Sequence, residues 1–208
     1  MYDAEAEEFS FGEAELGGGL GARFQSEDGT KGVDLLGFYY ERQLAERVDL
    51  RGTFYGGDLD LLDGTGGIGL PIQGNDKQEF GGNADFRWGP FRAFFQAVHQ
   101  EMAGLERNGY ELEVLFRSSL PLAYSTGGKQ LFPFLQPVVR VSFIDNDFRA
   151  DPQFVAPSVQ WDWKKYDVGV RVGIIQGVDV TAEYSFHDIT AARPVNIDEF
   201  LTTLRVRF

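Results

Sequence analysis

The sequence contains no cysteine, only two histidines, and fewer basic than acidic residues. Without cysteine, a disulfide framework, a thiolate zinc cluster and dithiol redox chemistry are excluded. The 19 Lys and Arg residues against 32 Asp and Glu residues give a net charge of −13, which disfavours nucleic acid as a partner. The chain also lacks the near-continuous run of about 18 apolar residues that a membrane-spanning helix needs.

Hydrophobic residues nevertheless make up 43% of the chain and aromatic residues 14%, which is enough for an ordered domain. The first residues, MYDAEAEEFSF, have neither the basic nor the apolar region of a secretory signal. We therefore expect that the protein either is not exported or has lost such a signal. The carboxylates of this stretch predict an acidic N-terminal segment over 1–7, and the chain length predicts one structural domain over 8–208.

Apolar and polar residues alternate with a period of two along most of the chain. The stretches with this alternation include GVDVTAEYSFH (177–187), YDVGVRVGI (166–174), YELEVLFR (110–117), EFGGNADFRW (79–88) and QPVVRVSF (136–143). Successive side chains of a strand point to opposite faces, so each stretch would form a strand with one apolar and one charged face. No stretch keeps helical spacing for longer than about three turns. The pattern predicts an all-β fold.

Two architectures produce such strands. A soluble sandwich turns the apolar face inward, whereas a transmembrane barrel turns it to lipid and leaves the charged face to line a lumen. Three features favour the membrane. The alternation lasts roughly 9 to 11 residues, as tilted membrane strands require; tight connections such as Gly89–Pro90 alternate with long acidic ones; and aromatic residues such as Trp88 and Trp163 flank the strands. We predict an antiparallel up-and-down transmembrane β-barrel.

The barrel is predicted to have about ten strands. Their ranges are 8–24, 32–42, 47–56, 78–88, 91–102, 109–120, 131–144, 164–174, 177–188 and 197–208. An even number places both termini on the periplasmic side. The segments 57–77, 144–163 and 189–196 would then be extracellular, and the turns Gly89–Pro90 and Gln176–Gly177 periplasmic. Twelve strands is the alternative, because the glycines of the first strand could mark a bend that divides it.

Parity within these strands places charged side chains toward the lumen. The lumen-lining candidates are Arg51, Asp85, Arg87, Arg92, Glu111, Glu113, Arg117, Arg140, Arg171, Asp179, Glu183, Arg205 and Arg207. Because the two signs nearly balance, these residues either line a narrow pore for small hydrated solutes or pair with one another and fill the lumen. The acidic loops would make a pore mouth attract cations.

The chain ends in FLTTLRVRF, with apolar residues alternating up to a terminal aromatic. Parity directs Arg205 and Arg207 to the lumen. The lipid-facing residues of this strand are Phe200, Leu204, Val206 and Phe208. The stretch resembles the C-terminal signal of bacterial outer-membrane barrels, which implies that the outer-membrane assembly machinery and the lipid bilayer are partners.

The region from Phe80 to Phe208 is similar to the C-terminal part of Gram-negative porins, especially phosphate-selective-type porins. The stretches that carry this resemblance are FRWGPFRAFFQAVHQE, NGYELEVLFRSSLPL, FPFLQPVVRVSF and the terminal strand. It implies a passive channel for small solutes in the bacterial outer membrane. Such porins have about sixteen strands, so a small barrel, a homo-oligomeric barrel and a fragment of a longer chain stay open.

Two other functional classes have weaker support. A non-conducting barrel would serve as a scaffold or recognise a partner through its long loops. For an outer-membrane hydrolase, Ser185 and His187 share a strand face, but Asp188 points to the other face and no nucleophile elbow is present. We therefore predict no enzymatic activity and no cofactor. Two acidic loops, with Asp58, Asp60 and Asp63 and with Asp145, Asp147 and Asp151, lack a complete calcium-binding pattern, so we predict no metal.

Overall fold

A computed structural model describes residues 15–44, 47–49, 58–60, 71–120, 125–127, 129–149, 160–190 and 194–207. The strands are β1 (Leu16–Gln25), β2 (Lys31–Gln43), β3 (Arg47–Asp49), β4 (Asp58–Asp60), β5 (Asp76–Trp88), β6 (Phe91–Met102), β7 (Leu105–Phe116), β8 (Ser125–Thr126), β9 (Lys129–Gln130), β10 (Leu135–Asn146), β11 (Asp162–Ile175), β12 (Val178–Thr190) and β13 (Val195–Val206). None of the described residues belongs to a helix long and apolar enough to cross a membrane.

Nine of these strands form one antiparallel sheet in the order β1-β2-β5-β6-β7-β10-β11-β12-β13. Each strand pairs with the next long strand along the chain, so the predicted all-β, antiparallel, up-and-down class is confirmed. Of the predicted third strand, 47–56, the part that the structure describes does not join this sheet. Its described part, β3, pairs with β4 in a separate two-stranded sheet. The physical reason is that all of β2 is already paired with β5, from Lys31 opposite Trp88 to Gln43 opposite Asp76.

Among the described residues the sheet has nine strands rather than the predicted ten, which changes where its first strand begins relative to where its last strand ends. Leu16 and Val206 lie at opposite ends of the sheet, because nine antiparallel strands reverse direction eight times. The turn end carries the connections 26–30, 89–90, 117–134 and 176–177; the loop end carries 44–75, 103–104, 147–161 and 191–194. The long predicted loops therefore share one end, as expected. The division into a short and a long end is incomplete, because 103–104 is tight and 117–134 is long.

The register separates two chemically distinct faces. The apolar face includes Val33, Leu35, Phe80, Ala84, Phe86, Ala93, Phe95, Leu112, Val114, Val139, Val141, Tyr166, Val168, Val170, Ala182, Tyr184, Phe200 and Leu204. The charged face includes Asp34, Asp85, Arg87, Arg92, Glu111, Glu113, Arg140, Asp167, Arg171, Asp179, Glu183 and Arg205. Cross-strand partners have their side chains on the same face, so each row of partners continues one face across the sheet.

The sheet is a single layer. Within the described ranges, substantial contacts between its strands join hydrogen-bonded neighbours only, and no second sheet or helix covers either face. The buried apolar side chains of these ranges are Leu44, Ile72, Ala103, Leu105 and Phe148, all at the loop end. The described residues thus provide no apolar layer between two sheets, which a soluble sandwich would require.

Candidate functional site

The charged face is the candidate site, and its middle is rich in carboxylates. Arg140 of β10 lies opposite Glu113 of β7 and Asp167 of β11. Its Nε donates a hydrogen bond to Asp167 Oδ2 at 2.8 Å, and its terminal nitrogens lie 3.4 Å from Glu183 and 3.9 Å from Glu113. One guanidinium therefore serves three carboxylates on three different strands.

We call this region the acidic belt. Its carboxylates are Glu111, Glu113, Asp167 and Glu183, and its cations are Arg140 and Lys165. Asp167 is 2% exposed and binds Lys165 Nζ at 3.1 Å in addition to Arg140. The belt is net negative, with four carboxylates against two cations among the residues described. Shielded carboxylates of this kind need all of their cationic partners, because an unpaired buried charge is costly.

At the turn end the balance reverses. Arg171 of β11 donates two hydrogen bonds to Asp179 of β12, at 2.7 and 2.6 Å. Arg205 and Arg207 approach the same carboxylate at 3.4 and 3.9 Å. Asp179 is only 5% exposed. Three arginines from two strands and the C-terminal segment therefore converge on one carboxylate.

A tight turn positions one of these arginines. Gly177 has a φ of +84°, which side-chain-bearing residues rarely adopt, and its carbonyl accepts a 2.8 Å hydrogen bond from the Arg207 backbone N–H. A Cβ added to Gly177 would lie 2.9 Å from the Arg207 carbonyl oxygen. A larger residue at 177 would therefore displace Arg207 from Asp179.

Further arginines at the turn end lie on the strands toward β1. Arg23 and Arg87 bind the two oxygens of Asp34 at 2.8 and 3.0 Å, and Arg92 donates hydrogen bonds to Asp85. We call the turn-end group the arginine zone. It contains Arg23, Arg87, Arg92, Arg117, Arg171, Arg205 and Arg207 with the carboxylates Asp34, Asp85 and Asp179.

Arg117 differs from the other members of the zone. Its guanidinium carbon lies 3.9 Å from the centre of the Phe134 ring, and no carboxylate of the described residues pairs with it. The Arg171 guanidinium lies 5.5 Å from the same ring. Stacking on an aromatic face leaves the edge of a guanidinium, with its N–H donors, free to bind another group.

Two cavities lie on either side of this stack. One of about 310 Å³ is bounded by Arg117, Phe134, Arg171 and Arg207 together with Asp179. The other, of about 570 Å³, also borders Arg117 and Phe134 and extends to Arg87, Arg92 and the turn Gly89–Pro90. The arginine zone therefore contains two clefts that are partly open to solvent, as well as positive charge.

At the loop end of the charged face, His187 lies beside Trp163 and Glu199. His187 is 5% exposed, its Nδ1 accepts a 3.0 Å hydrogen bond from Trp163 Nε1, and its Nε2 lies 3.4 Å from Glu199. Ser185 instead donates to Asp167, and Asp188 lies on the opposite face across from Lys164. Ser185, His187 and Asp188 are therefore not linked as a catalytic set. Trp163 lies on the charged face, which corrects its expected place among the aromatic residues at the membrane interface.

Aromatic residues mark both margins of the apolar face. At the turn end, the rings of Phe91 and Phe116 have centroids 4.7 Å apart, and Lys31 Nζ lies 4.3 Å over the Trp88 ring. Toward the loop end the aromatic residues of this face include Tyr39, Phe80, Tyr110, Phe143, Tyr166 and Phe186. In the middle, aliphatic residues such as Val139 and Val168 lie beside Tyr184 and Phe200.

The predicted site residues divide between the two faces as parity indicated. The charged face carries Asp85, Arg87, Arg92, Glu111, Glu113, Arg140, Arg171, Asp179, Glu183 and Arg205, and its continuation at the turn end carries Arg117 and Arg207. Phe200, Leu204 and Val206 lie on the apolar face. Arg51 and Phe208 lie outside the described residues, as do the N-terminal segment 1–7, Asp63 and Asp151.

Sequence reasoning missed three contributors to the charged face. Asp167 and Lys165 have the same parity as Arg171 and could have been found from it. Phe134 shares the parity of Arg140 within the predicted strand 131–144, but β10 begins only at Leu135, and alternation gives no sign of the contact between Phe134 and Arg117. Across the described parts of the chain, no three His, Cys, Asp or Glu side chains are grouped so that they could hold a metal ion.

The sequence matches no model of a known protein family and no curated protein.

Proposed function

We propose that the protein is an outer-membrane β-barrel protein whose charged face lines a passive channel for small hydrated solutes. The observation that carries the proposal is the inverted exposure of a single-layer sheet. Large apolar side chains such as Phe200 and Leu204 are 71% and 64% exposed, whereas Asp167 and Asp179 are buried. Lipid stabilises an exposed apolar face, and a water-filled lumen accommodates ion pairs.

The dimensions of the apolar face support this proposal. From Phe80 to Trp88 the apolar parity of β5 continues for eight residue steps, about 27 Å along the strand. A tilt of roughly 40° reduces this length to a height of about 20 Å, close to the apolar band of about 25 Å in membrane barrels. The aromatic residues at both margins, including Trp88 and Tyr110, correspond to the two interfacial girdles.

The proposal requires both edges of the sheet to be paired. Within the described residues, β1 pairs only with β2 and β13 only with β12. An unpaired edge would leave backbone N–H and C=O groups without partners in lipid. Because β1 and β13 run in the same direction, an odd number of added strands would close the sheet with antiparallel pairs throughout.

A non-conducting barrel is the second candidate, and one observation favours it. Arg140 connects carboxylates from β7, β11 and β12, so the acidic belt could hold the lumen shut as a salt-bridged layer. Glu111 has a weaker partner, a 3.4 Å contact with the Ser142 hydroxyl, which leaves acceptor capacity for water. A carboxylate with spare acceptor capacity suits a water-filled lumen, which supports the channel.

Two measurements on the refolded protein test the proposal. A closed membrane barrel is expected to migrate differently on a detergent gel before and after boiling, whereas an unclosed sheet is not. In planar bilayers, the channel predicts discrete conductance steps in 1 M KCl. Migration that changes on boiling without conductance would support the non-conducting barrel, and unchanged migration together with failure to insert into bilayers would contradict both.

A further inference from the structure

We propose that the 310 Å³ cavity at the turn end binds a small organic carboxylate. The cavity would be a solute-binding position inside the proposed channel, so its role in passage rests on that function. The affinity of the cavity for a carboxylate can be measured on protein refolded in detergent micelles, because all of its lining residues belong to the protein itself.

The first argument is charge. Arg117, Arg171 and Arg207 border the cavity, and Asp179 is the one carboxylate among its described lining residues. Arg205 lies 3.4 Å from the same carboxylate. The described residues of the connection 117–134 add no acidic side chain, and the whole segment, RSSLPLAYSTGGKQLFPF, contains none. An anion entering the cavity therefore meets a surplus of positive charge.

The second argument is the availability of donors. Asp179 accepts one hydrogen bond from Arg171 on each of its two oxygens, at 2.7 and 2.6 Å, so Arg171 is its main partner. Arg207 is left at 3.9 Å, and Arg117 has no carboxylate partner among the described residues. Guanidinium forks bind carboxylates through two parallel N–H donors. Arg117 and Arg207 are thus the arginines with donors to offer.

The third argument is the shape and chemistry of the walls. Pro133, Phe134, Ile175 and Val178 give the cavity apolar surfaces beside its guanidiniums. A volume of about 310 Å³ lies at the lower end of the range for small-molecule sites. A hydrated inorganic anion would leave these walls against water, whereas a carboxylate on an apolar body would cover them. The walls therefore favour an organic acid over a bare oxyanion.

The experiment is calorimetric titration of the refolded protein in detergent micelles with three probes. Benzoate carries both a carboxylate and a ring, sulfate carries charge alone, and benzyl alcohol carries a ring alone. We expect benzoate to bind more tightly than either of the other two. Arg117→Gln should weaken benzoate binding about tenfold or more, because a charge-assisted pair of hydrogen bonds is lost. Arg149→Gln, at the exposed loop end, should leave it unchanged.

Arg207→Gln provides a second test if Arg117→Gln does not fold, as judged from heat-modifiable migration, and it should also weaken benzoate binding. Sulfate binding as tight as that of benzoate would overturn the organic-acid assignment. Absent benzoate binding, or equal losses in Arg117→Gln and Arg149→Gln, would overturn the site. Benzoate binding by a protein without conductance would contradict the channel but support the site. Conductance without benzoate binding would support the channel but overturn the site.

Discussion

The two faces of the nine-stranded sheet differ in composition, and their shielding differs in the opposite sense from that of a water-soluble protein. In β11, Val168 is 59% exposed, whereas its neighbour Asp167 is 2% exposed. Carboxylates are rarely buried without partners, and valine is usually found in cores. The contrast indicates that ion pairs between strands stabilise the charged face; under the proposed function, lipid covers the apolar face.

The largest expected effect comes from a charge placed on the apolar face. Val168→Lys should lower the free energy of unfolding in lipid vesicles by about 2 to 4 kcal/mol, since lysine near the bilayer midplane loses its hydration. Gln96→Lys is the matched control on the charged face, where it faces Glu111. It should change stability by less than about 0.5 kcal/mol. Equal losses in urea unfolding would contradict the assignment of the faces.

The next effect concerns the acidic belt. Arg140→Gln removes the guanidinium shared by Glu113, Asp167 and Glu183, and should lower the free energy of unfolding by about 1 to 3 kcal/mol. Arg23→Gln breaks a much more exposed pair and should lower it by less than about 1 kcal/mol.

Adding Asp167→Asn to Arg140→Gln should recover part of that loss, because the double variant no longer contains a shielded carboxylate that has lost its guanidinium. Denaturant titration of Arg140→Gln, of Asp167→Asn and of the double variant in vesicles measures the coupling energy between the two residues. Strictly additive losses would show that Arg140 and Asp167 do not stabilise the sheet as a pair.

The smallest effect lies outside the sheet, in the turn between β1 and β2. Hydrogen bonds from the Ser26 hydroxyl and from the Thr30 backbone and hydroxyl hold the pKa of Asp28 below the ordinary value of 3.8. A lowered pKa stabilises the turn above pH 3.8, and this contribution is lost as the pH falls through the pKa of the folded protein. An NMR titration of the Asp28 carboxyl carbon should give a midpoint below 3.8, and Ser26→Ala should raise it. A midpoint at 3.8 or above would contradict the turn geometry.

Parity predicted the faces well because a strand has a period of two, so Arg205 and Leu204 are separated by geometry that no tertiary contact alters. The number of strands was harder to predict from the sequence. Alternation over 47–56 resembled the other strands, but which strand pairs with β2 is decided by long-range register, and β5 fills it completely. The arginine zone was also only partly predictable, because Arg117 and Phe134 lie just outside β7 and β10, where strand parity does not determine which side chains meet.

The central claim is the direction of the two faces relative to lipid, and tryptophan quenching tests it most directly. Trp88 lies on the apolar face and Trp163 on the charged face. Trp161→Phe combined with Trp163→Phe leaves Trp88, and Trp88→Phe combined with Trp161→Phe leaves Trp163. In vesicles of brominated lipids, the account predicts strong quenching of Trp88 and little of Trp163. Equal quenching of the two, or stronger quenching of Trp163, would contradict it.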